Sequence, residues 1–350
     1  MAAKNASEGK AQLIRDLREG SVGSLYLISG EETYMKEHYL SELKRVVVDP
    51  TFAEFNLTEF EGKSLTPELL TEAIDSYPAM AEKKLVVVTD FDLWKPPGGF
   101  ADLLPGLLTD LPDYLCLVFY YDVMDGKPDK RTKLYKALEK KACFAQFDHL
   151  EERELCAWIE RRCRALDRAI SPENCSYMIF LCGNSMTNLS GEIEKAAAHA
   201  TTGEILKYNI DSVCSRVLEA VVFDLTDAIT EGRFDRAVAL TGDLIAQKNN
   251  EVMIFTVILR HIQRLYGAKL CDEARGGERM LLELLGTKSP YYARRIQTSA
   301  RRVPLSWLRR AAAICAETDA ALKGSAVDRQ KQIELTLLTL AANFKNDKKR

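Results

Sequence analysis

The sequence contains no Cys-X-X-Cys pair and only four histidines among its 350 residues, so the ligand spacing that zinc sites require is missing. Its nine cysteines stand singly, and we predict that they are reduced core residues of a cytoplasmic protein. No uninterrupted apolar run is long enough to span a bilayer, and the polar residues 1–10 do not have the pattern of a signal peptide. We therefore expect no metal site and no membrane partner.

A working nucleotide-binding loop is also missing, although its surroundings are present. Apolar residues 25–28 predict a buried strand that leads into Gly30, and a helical pattern begins shortly afterwards. This is the context of the P-loop, whose signature is Gly-X-X-X-X-Gly-Lys-Ser/Thr. Counted from Gly30, Met35 replaces the second glycine and Glu37 replaces the hydroxyl that binds magnesium, whereas Lys36 keeps the lysine. A methionine Cβ obstructs the approach of phosphate to backbone N–H groups, so this loop is predicted not to bind ATP.

The other parts of an ATPase site are absent from the sequence as well. Two acids, Glu31 and Glu32, would repel phosphates. The strands that precede Asp90 and Asp122 are not followed by the adjacent Asp-Glu pair that would hold magnesium, and residues 183–186 contain no nucleotide-sensing arginine. Phosphoryl transfer needs positioned positive charge around the phosphates. The sequence therefore predicts the scaffold of an ATPase without its chemistry.

Strands alternate with helices over the first part of the chain. The predicted strands cover residues 25–29, 54–60, 85–90, 114–121 and 143–148. The predicted helices cover residues 10–19, 34–47, 66–76, 98–109 and 128–141. This alternation predicts a parallel α/β sheet with helices on both faces.

The pattern changes near residue 150, beyond which we predict helices alone. They are expected at about 151–166, 172–183 and 188–200, and then throughout 213–345. We predict three domains: an AAA+/P-loop-like α/β domain over 1–149, a small three-helix lid domain over 150–211, and a helical collar domain for oligomerisation over 212–350.

The net charge of −3 conceals an asymmetry between the two halves. Residues 1–210 carry 25 Lys/Arg and 34 Asp/Glu, whereas residues 211–350 carry 23 and 17. Such an asymmetry indicates that the C-terminal part meets a polyanion, or else reflects drift on solvated helices.

The densest basic run lies over residues 288–310 and contains no acid. Its basic residues are Lys288, Arg294, Arg295, Arg301, Arg302, Arg309 and Arg310. The paired arginines recur seven or eight residues apart, which returns them to nearly one helix face. Arginine can bind phosphates, and an aromatic side chain can stack on an exposed base. The run predicts a nucleic-acid contact, with a solvated basic face or a subunit contact as the alternative.

Four stretches carry a family resemblance. They are residues 25–37 (Leu-Tyr-Leu-Ile-Ser-Gly-Glu-Glu-Thr-Tyr-Met-Lys-Glu), residues 76–88 (Ser-Tyr-Pro-Ala-Met-Ala-Glu-Lys-Lys-Leu-Val-Val-Val), Gly183-Asn184 with residues 189–195, and the terminal residues 323–340. They span nearly the whole chain in order, and they resemble the delta subunits of bacterial DNA polymerase III, which are clamp-loader proteins of the AAA+ superfamily. The resemblance implies a subunit without an active site or cofactor, which does not hydrolyse ATP.

The resemblance also implies partners. A delta subunit joins the ATPase subunits and the delta-prime subunit of a ring-like loader through its third domain. Its first domain binds the sliding clamp and opens one interface, so that the clamp can be placed on primed DNA during replication.

The resemblance places the clamp-binding element in the turn after the helix 66–76, at Tyr77, Pro78, Ala79 and Met80. Two large apolar residues occupy this position in the family. Met80 matches the second, but Ala79 is small where a bulky side chain is usual, so either Tyr77 substitutes for it or the contact is weaker. The alternative is that Tyr77 and Met80 only cover the edge of the sheet.

The family also has an aromatic residue near the basic run that contacts the template. Tyr291 is the position matched to it, and Arg294, Arg295, Arg301 and Arg302 are the accompanying candidate DNA contacts.

Two other functions remain compatible with the sequence. The chain could be a divergent P-loop ATPase or kinase that uses Lys36, in which case Lys36→Ala would abolish ATP binding. It could also be a stand-alone helical DNA-binding protein, whereas a loader subunit should bind DNA weakly by itself.

Overall fold

The computed structural model describes residues 2–139, 141–231, 233–246, 250–324 and 328–347. The chain divides into two compact units, Met1–His149 and Leu150–Arg350. None of the helices in these ranges combines the length and the apolar character needed to cross a membrane.

The first unit is built on a parallel sheet of five strands. They are β1 Leu25–Ser29, β2 Leu57–Glu61, β3 Lys84–Thr89, β4 Leu115–Tyr120 and β5 Cys143–Gln146, and they lie in the order β2-β3-β4-β1-β5. Around them lie the helices α1 Ala2–Glu19, α2 Thr33–Val47, α3 Ala53–Asn56, α4 Pro67–Asp75, α5 Phe100–Leu107 and α6 Lys133–Leu138. The predicted parallel α/β sheet is therefore confirmed.

Both faces of the sheet are buried, because alternate residues of each strand point to opposite faces. Val86, Val88 and Phe119 belong to the core on one face. Val87 and Val118 belong to the core on the other face, where α1 and α2 contribute Leu13 and Leu43. This two-sided burial explains why β3 and β4 are continuous apolar runs.

The predicted strand over 54–60 begins too early. Pro50–Phe52 form a 3₁₀ turn, whose N-cap Asp49 accepts a hydrogen bond from the Thr51 N–H at 2.8 Å, and the chain continues into α3 before β2 begins. The apolar pattern missed this helical turn because β2 lies at the sheet edge and is only partly buried. The predicted helix over 128–141 is also too long, since Thr132 caps α6 by accepting the Tyr135 N–H at 3.1 Å.

The second unit is almost entirely helical. Its helices are α7 Glu152–Ala165, α8 Pro172–Cys182, α9 Met186–His199, α10 Lys207–Val213, α11 Leu218–Thr230, α12 Phe234–Ala246, α13 Glu251–Glu273, α14 Glu278–Leu285, α15 Pro290–Arg301, α16 Leu305–Leu322 and α17 Arg329–Asp347. The expectation of helices alone misses one small parallel pair, β6 Ala169–Ile170 with β7 Glu204–Ile205, because two-residue strands are too short for a periodic signal.

The core of this unit is formed by α11–α17 around the long helix α13, whose Ile258, Ile262 and Leu265 are buried. Trp307 of α16 is buried and donates its indole N–H to the Leu340 carbonyl of α17 at 3.0 Å. The expected boundary between residues 211 and 212 lies inside α10, and the three-domain division stays a prediction.

Candidate functional site

The loop after β1 turns at Gly30, where it meets the chain segment that follows β5. Gly30 has φ of 117°, and a Cβ at this position would lie 2.2 Å from the carbonyl oxygen of Phe147. The Glu32 N–H donates to the same carbonyl at 2.8 Å, and the Phe147 N–H donates to the Ser29 carbonyl at 2.7 Å. The glycine thus permits close contact between two backbone segments, a role that needs no phosphate.

Lys36, at the position of the P-loop lysine, is directed into the protein. Its side chain is buried, with the residue 2% exposed, and its ammonium donates to the carbonyls of Tyr121 at 2.7 Å and Asp122 at 3.3 Å. Burial lowers the pKa of Lys36, while the charges of nearby acids, Asp122 foremost, oppose this shift. Its neighbours also depart from the P-loop pattern, since Met35 packs against the core and Glu37 is exposed.

Asp90, the acid that follows β3, is hydrogen-bonded to the loop after β4, which also receives the Lys36 ammonium. Its carboxylate accepts the N–H groups of Asp122 at 2.9 Å, Val123 at 3.2 Å and Met124 at 3.1 Å. Its own backbone has φ of 53°, a left-handed conformation that Asp tolerates better than most residues. Lys36 and Asp90 therefore hold the segment after β4 from two sides, with an ammonium on its carbonyls and a carboxylate on its N–H groups.

The cleft at this end of the sheet has a volume of about 290 Å³ and an acidic lining. The carboxylates that contribute to it are those of Glu31, Asp122, Asp125 and Asp148. Lys127 also lines the cleft, but its ammonium lies 3.2 Å from Asp125 Oδ2. A triphosphate would meet net negative charge here, and the buried Lys36 already has two acceptors.

Replacing Lys36 by methionine tests this structural role. The variant keeps an apolar side chain of similar length but leaves two carbonyls without their charged donor, so we expect the free energy of unfolding to fall by about 2 kcal/mol. Urea denaturation measures the loss, with the exposed Lys127→Met as the control, which should stay within about 0.5 kcal/mol of the unsubstituted protein. A stable Lys36→Met protein that has lost measurable ATP binding would instead favour the divergent ATPase.

The turn after α4 presents two large apolar side chains to solvent. Tyr77 is 80% exposed and Met80 is 84% exposed. The Tyr77 ring centroid lies 5.0 Å from that of Tyr114. We call Tyr77–Met80, with its Pro78 and Ala79, the apolar tip.

The backbone of the apolar tip is fixed by a side chain that the sequence did not single out. The buried Asn56 donates its amide N–H to the Ala79 carbonyl at 2.9 Å and accepts the Ala79 N–H at 2.8 Å. At the other end, the Lys84 ammonium donates to the carbonyl and hydroxyl oxygens of Ser76. Met80 has φ of 52°, a conformation that costs a side-chain-bearing residue free energy and persists only where its surroundings hold it.

The basic run divides between a cleft and the surrounding surface. A cleft of about 760 Å³ in the second unit is lined in part by Tyr291, Arg294, Arg295 and Arg302. Arg301 does not line this cleft, and its guanidinium donates to the Asp272 carboxylate at 2.7 Å. The structure thus brings four of the five candidate DNA contacts together.

The four residues in this cleft are not equally available. The Arg295 guanidinium lies 4.4 Å from the ring centroid of Phe180 and 4.8 Å from that of Phe223, which makes it part of the packing between helices. The Tyr291 ring is half-buried near Phe180. Arg294 and Arg302 are exposed and form long ion pairs of 3.6 Å with acids, and such pairs contribute little to stability. These two arginines are therefore the ones best able to exchange a carboxylate for a phosphate.

One group of possible metal ligands occurs among the described residues. The donor atoms of Cys182, Glu192 and Cys214 lie within 4.8 Å of one another, and all three residues are buried. The Glu192 carboxylate already accepts the Ser215 N–H at 3.0 Å and lies 2.7 Å from the Lys195 ammonium. Its charge is thereby balanced within the protein, so the cluster has a structural explanation.

The strand order, together with a P-loop-like turn after β1, defines the first unit as an AAA+-type α/β domain, followed here by a helical unit. Residues 26–148 match the family model described as DNA polymerase III, delta subunit. Residues 219–340 match the model described as DNA polymerase III delta subunit, C-terminal domain. The chain belongs to the family of DNA polymerase III delta subunits, as the four stretches of resemblance predicted.

A sequence match and a structural match, both to Bacillus subtilis delta proteins, extend this similarity over 95% of the chain. The chain is 24% identical to the DNA polymerase III subunit delta of strain 168, over 95% of this chain and 97% of that protein. It also matches the solved structure of the Bacillus subtilis DNA clamp loader delta protein, with a TM-score of 0.55, 22% identity, and coverage of 95% and 99% of the two chains. At this identity the structural likeness establishes the fold alone, and it confirms the predicted fold class.

Proposed function

We propose that this chain is the clamp-opening subunit of a bacterial clamp loader: it binds the sliding clamp through the apolar tip and does not hydrolyse ATP itself. The observation that carries the proposal is the near-complete exposure of Tyr77 and Met80 on a turn whose backbone Asn56 holds in place. Short recognition elements bind by presenting one or two apolar anchors to a preformed pocket. Because the tip is held in place, ordering it costs little free energy on binding.

Opening follows from differential binding. A ring-shaped clamp exchanges between closed and open conformations, and a ligand shifts this equilibrium only by the difference in its affinity for the two. The tip contributes to opening if its pocket is better formed, or less strained, in the open clamp. To change an open-to-closed ratio from 1:99 to 99:1, this preference must reach about 5.5 kcal/mol, so the surface around the tip must contribute as well.

In this proposal the ATP that drives repeated rounds of clamp loading is bound and hydrolysed by partner subunits. The chain assembles with the ATPase subunits and the delta-prime subunit through its C-terminal helical domain, and acts in the bacterial cytoplasm at the replisome. ATP binding in those partners presents the tip to the clamp. The absence of ATP hydrolysis by this chain is supported by Lys36 and Asp90. Both side chains are already hydrogen-bonded to the backbone of the loop after β4.

A clamp-release assay tests the proposal. Labelled sliding clamps are placed on closed circular DNA, and their release is followed after addition of this chain without ATP. A clamp-opening subunit should accelerate release, because it binds the open ring better than the closed one. Absence of both clamp binding and accelerated release, under conditions where the chain is folded, would contradict the proposal.

We also propose that the assembled loader contacts primed DNA through the cleft of the second unit, with Arg294 and Arg302 on phosphates and Tyr291 near a base. The exposed guanidinium groups of Arg294 and Arg302 support this contact. They must outweigh three acids, Glu152, Glu173 and Asp227, which line the same cleft. The rival explanation is a contact with a neighbouring subunit.

The Arg294→Ala/Arg302→Ala variant distinguishes these explanations. In the assembled loader we expect weaker binding to primed DNA of any sequence, with the slope of log K against log salt reduced by roughly 2, because each lost phosphate contact removes about one unit. Fluorescence anisotropy at several salt concentrations measures this change, and Arg236→Ala/Arg279→Ala is the control, since both residues are exposed, lie outside the basic run and do not line the cleft. An unchanged salt slope with impaired loader assembly would assign the arginines to a subunit contact.

A further inference from the structure

A third large, exposed apolar side chain belongs to a segment that is hydrogen-bonded to the apolar tip. Phe55 of α3 is 68% exposed and directly precedes Asn56. The Asn56 amide makes two hydrogen bonds to the backbone of Ala79, and Met80 follows Ala79. Since consecutive Cα atoms are about 3.8 Å apart, Phe55 and Met80 are each one residue away from opposite ends of this double hydrogen bond.

The exposure of Phe55 is not required by the fold. α3 is a single helical turn that leads into β2, and any helix-compatible polar residue could occupy its solvent side. Exposed apolar side chains that occur singly are common, but grouped ones mark interaction surfaces. Phe55, Tyr77 and Met80 are each more than two-thirds exposed, and exposed acids, Glu54 and Glu82, flank the two segments. An apolar centre with a polar rim is the usual composition of a protein interface.

We propose that Phe55 is a third apolar anchor for the sliding clamp, and that Asn56 is the positioning residue that sets its placement relative to Met80. This inference rests on the proposed function, because its occupant is the clamp that the apolar tip binds. The Asn56 amide ties the segment that carries Phe55 to the backbone of the tip, which keeps Phe55 within reach of a clamp bound at Met80.

The two hydrogen bonds of Asn56 do more than fill space in the core. An amide that both donates to and accepts from one residue fixes the separation and the orientation of the two segments. The left-handed backbone at Met80, with φ of 52°, directly follows the residue that Asn56 holds. Without the amide, the tip can relax from this conformation, and the two anchors lose their fixed spacing. Binding would then have to restore that order.

Clamp affinity, measured by surface plasmon resonance with an immobilised clamp, tests the inference. We expect Phe55→Ala to weaken binding about 10-fold, as for a residue near the centre of an interface. The matched control is Val123→Ala, which is also highly exposed but follows β4 at the opposite end of the parallel sheet. It should leave the affinity within about twofold of the unsubstituted protein.

A double-mutant cycle tests the positioning role of Asn56. Asn56→Ala should weaken clamp binding about 10-fold in the unsubstituted protein but have much less effect in a Met80→Ala background, because it acts by placing Met80. A purely structural residue would have the same effect in both backgrounds. Thermal unfolding, followed by circular dichroism, establishes that each variant is folded at the assay temperature.

The outcomes separate this inference from the proposed function. If Tyr77→Ala/Met80→Ala loses clamp binding while Phe55→Ala retains it fully, the tip binds the clamp and the third anchor is refuted. If the Asn56→Ala effect is equal in both backgrounds, the positioning role is refuted. If the unsubstituted chain does not bind the clamp, the proposed function itself fails.

Discussion

Clamp binding should fall at least about 30-fold in the Tyr77→Ala/Met80→Ala variant, a loss of about 2 kcal/mol or more. Both side chains are almost fully exposed in the free protein, so burying them in a clamp pocket would remove a large apolar area from water. The two residues are three positions apart on a turn fixed by Asn56, which allows both to enter one pocket. Isothermal titration calorimetry measures the loss, and the heat-capacity change of binding should become less negative as the apolar contact is removed.

Because Tyr77 and Met80 are exposed, a loss of clamp binding in this variant should not reflect a loss of folding. Side chains that contact solvent contribute little to folding, so the free energy of unfolding should change by no more than about 0.5 kcal/mol. The single variant Met80→Ala should account for most of the effect if Ala79 has left Tyr77 as a minor anchor, whereas equal single effects would show that Tyr77 substitutes for the missing bulky residue. Unimpaired clamp binding by the double variant would refute the assignment of the apolar tip.

The architecture was largely predictable because burial imposes a regular spacing of apolar residues on the sequence. β3 and β4 are covered on both faces, so they appear as continuous apolar runs, and the helices of the second unit keep one apolar stripe. Local signals were also reliable where one residue's side chain bonds the backbone nearby. Thr66 and Ser171, for example, cap α4 and α8, and each is followed by a proline in the first turn.

The contacts that shape the candidate sites were not predictable, because they join residues far apart in the chain. Asn56 holds Ala79, 23 residues later, and its own position at the end of a helical turn was hidden within a predicted strand. In the basic run, neither the packing of Arg295 on Phe180 nor the bond from Arg301 to Asp272 leaves a pattern in the local sequence. Composition located the basic surface, but only the fold separates guanidinium groups that pack from those that face solvent.

In the degenerate P-loop, two residues of the motif are retained for structural reasons although the loop is not expected to bind nucleotide. Met35 and Glu37 depart from the motif at the second glycine and at the magnesium-binding hydroxyl. The retained residues, Gly30 and Lys36, now bond or contact protein atoms: Gly30 the Phe147 backbone, and Lys36 the carbonyls after β4. Retention of a glycine and a lysine in such a loop therefore does not indicate nucleotide binding, since backbone packing alone accounts for both.

The Gly30→Ala variant separates these two reasons for retaining the glycine. A methyl group would overlap the Phe147 carbonyl at 2.2 Å, and the φ of 117° is one that alanine rarely adopts. Both the steric overlap and the backbone strain must be relieved by moving the ends of β1 and β5, so we expect the free energy of unfolding to fall by about 4 kcal/mol or more. Chemical denaturation measures this loss, and no nucleotide is needed for it to appear.

Gly20→Ala is the matched control, because it isolates the cost of backbone conformation. Gly20 ends α1 with φ of 69°, but no atom lies within 4 Å of the position a Cβ would take. Its replacement should cost only about 1 kcal/mol, the usual penalty for a left-handed residue with a side chain. If Gly30→Ala were no more destabilising than Gly20→Ala, close contact with Phe147 would not explain the glycine, and a ligand that approaches the Gly30 backbone would have to be sought. The expected difference of about 3 kcal/mol between the two variants would instead assign Gly30 to the fold of the sheet.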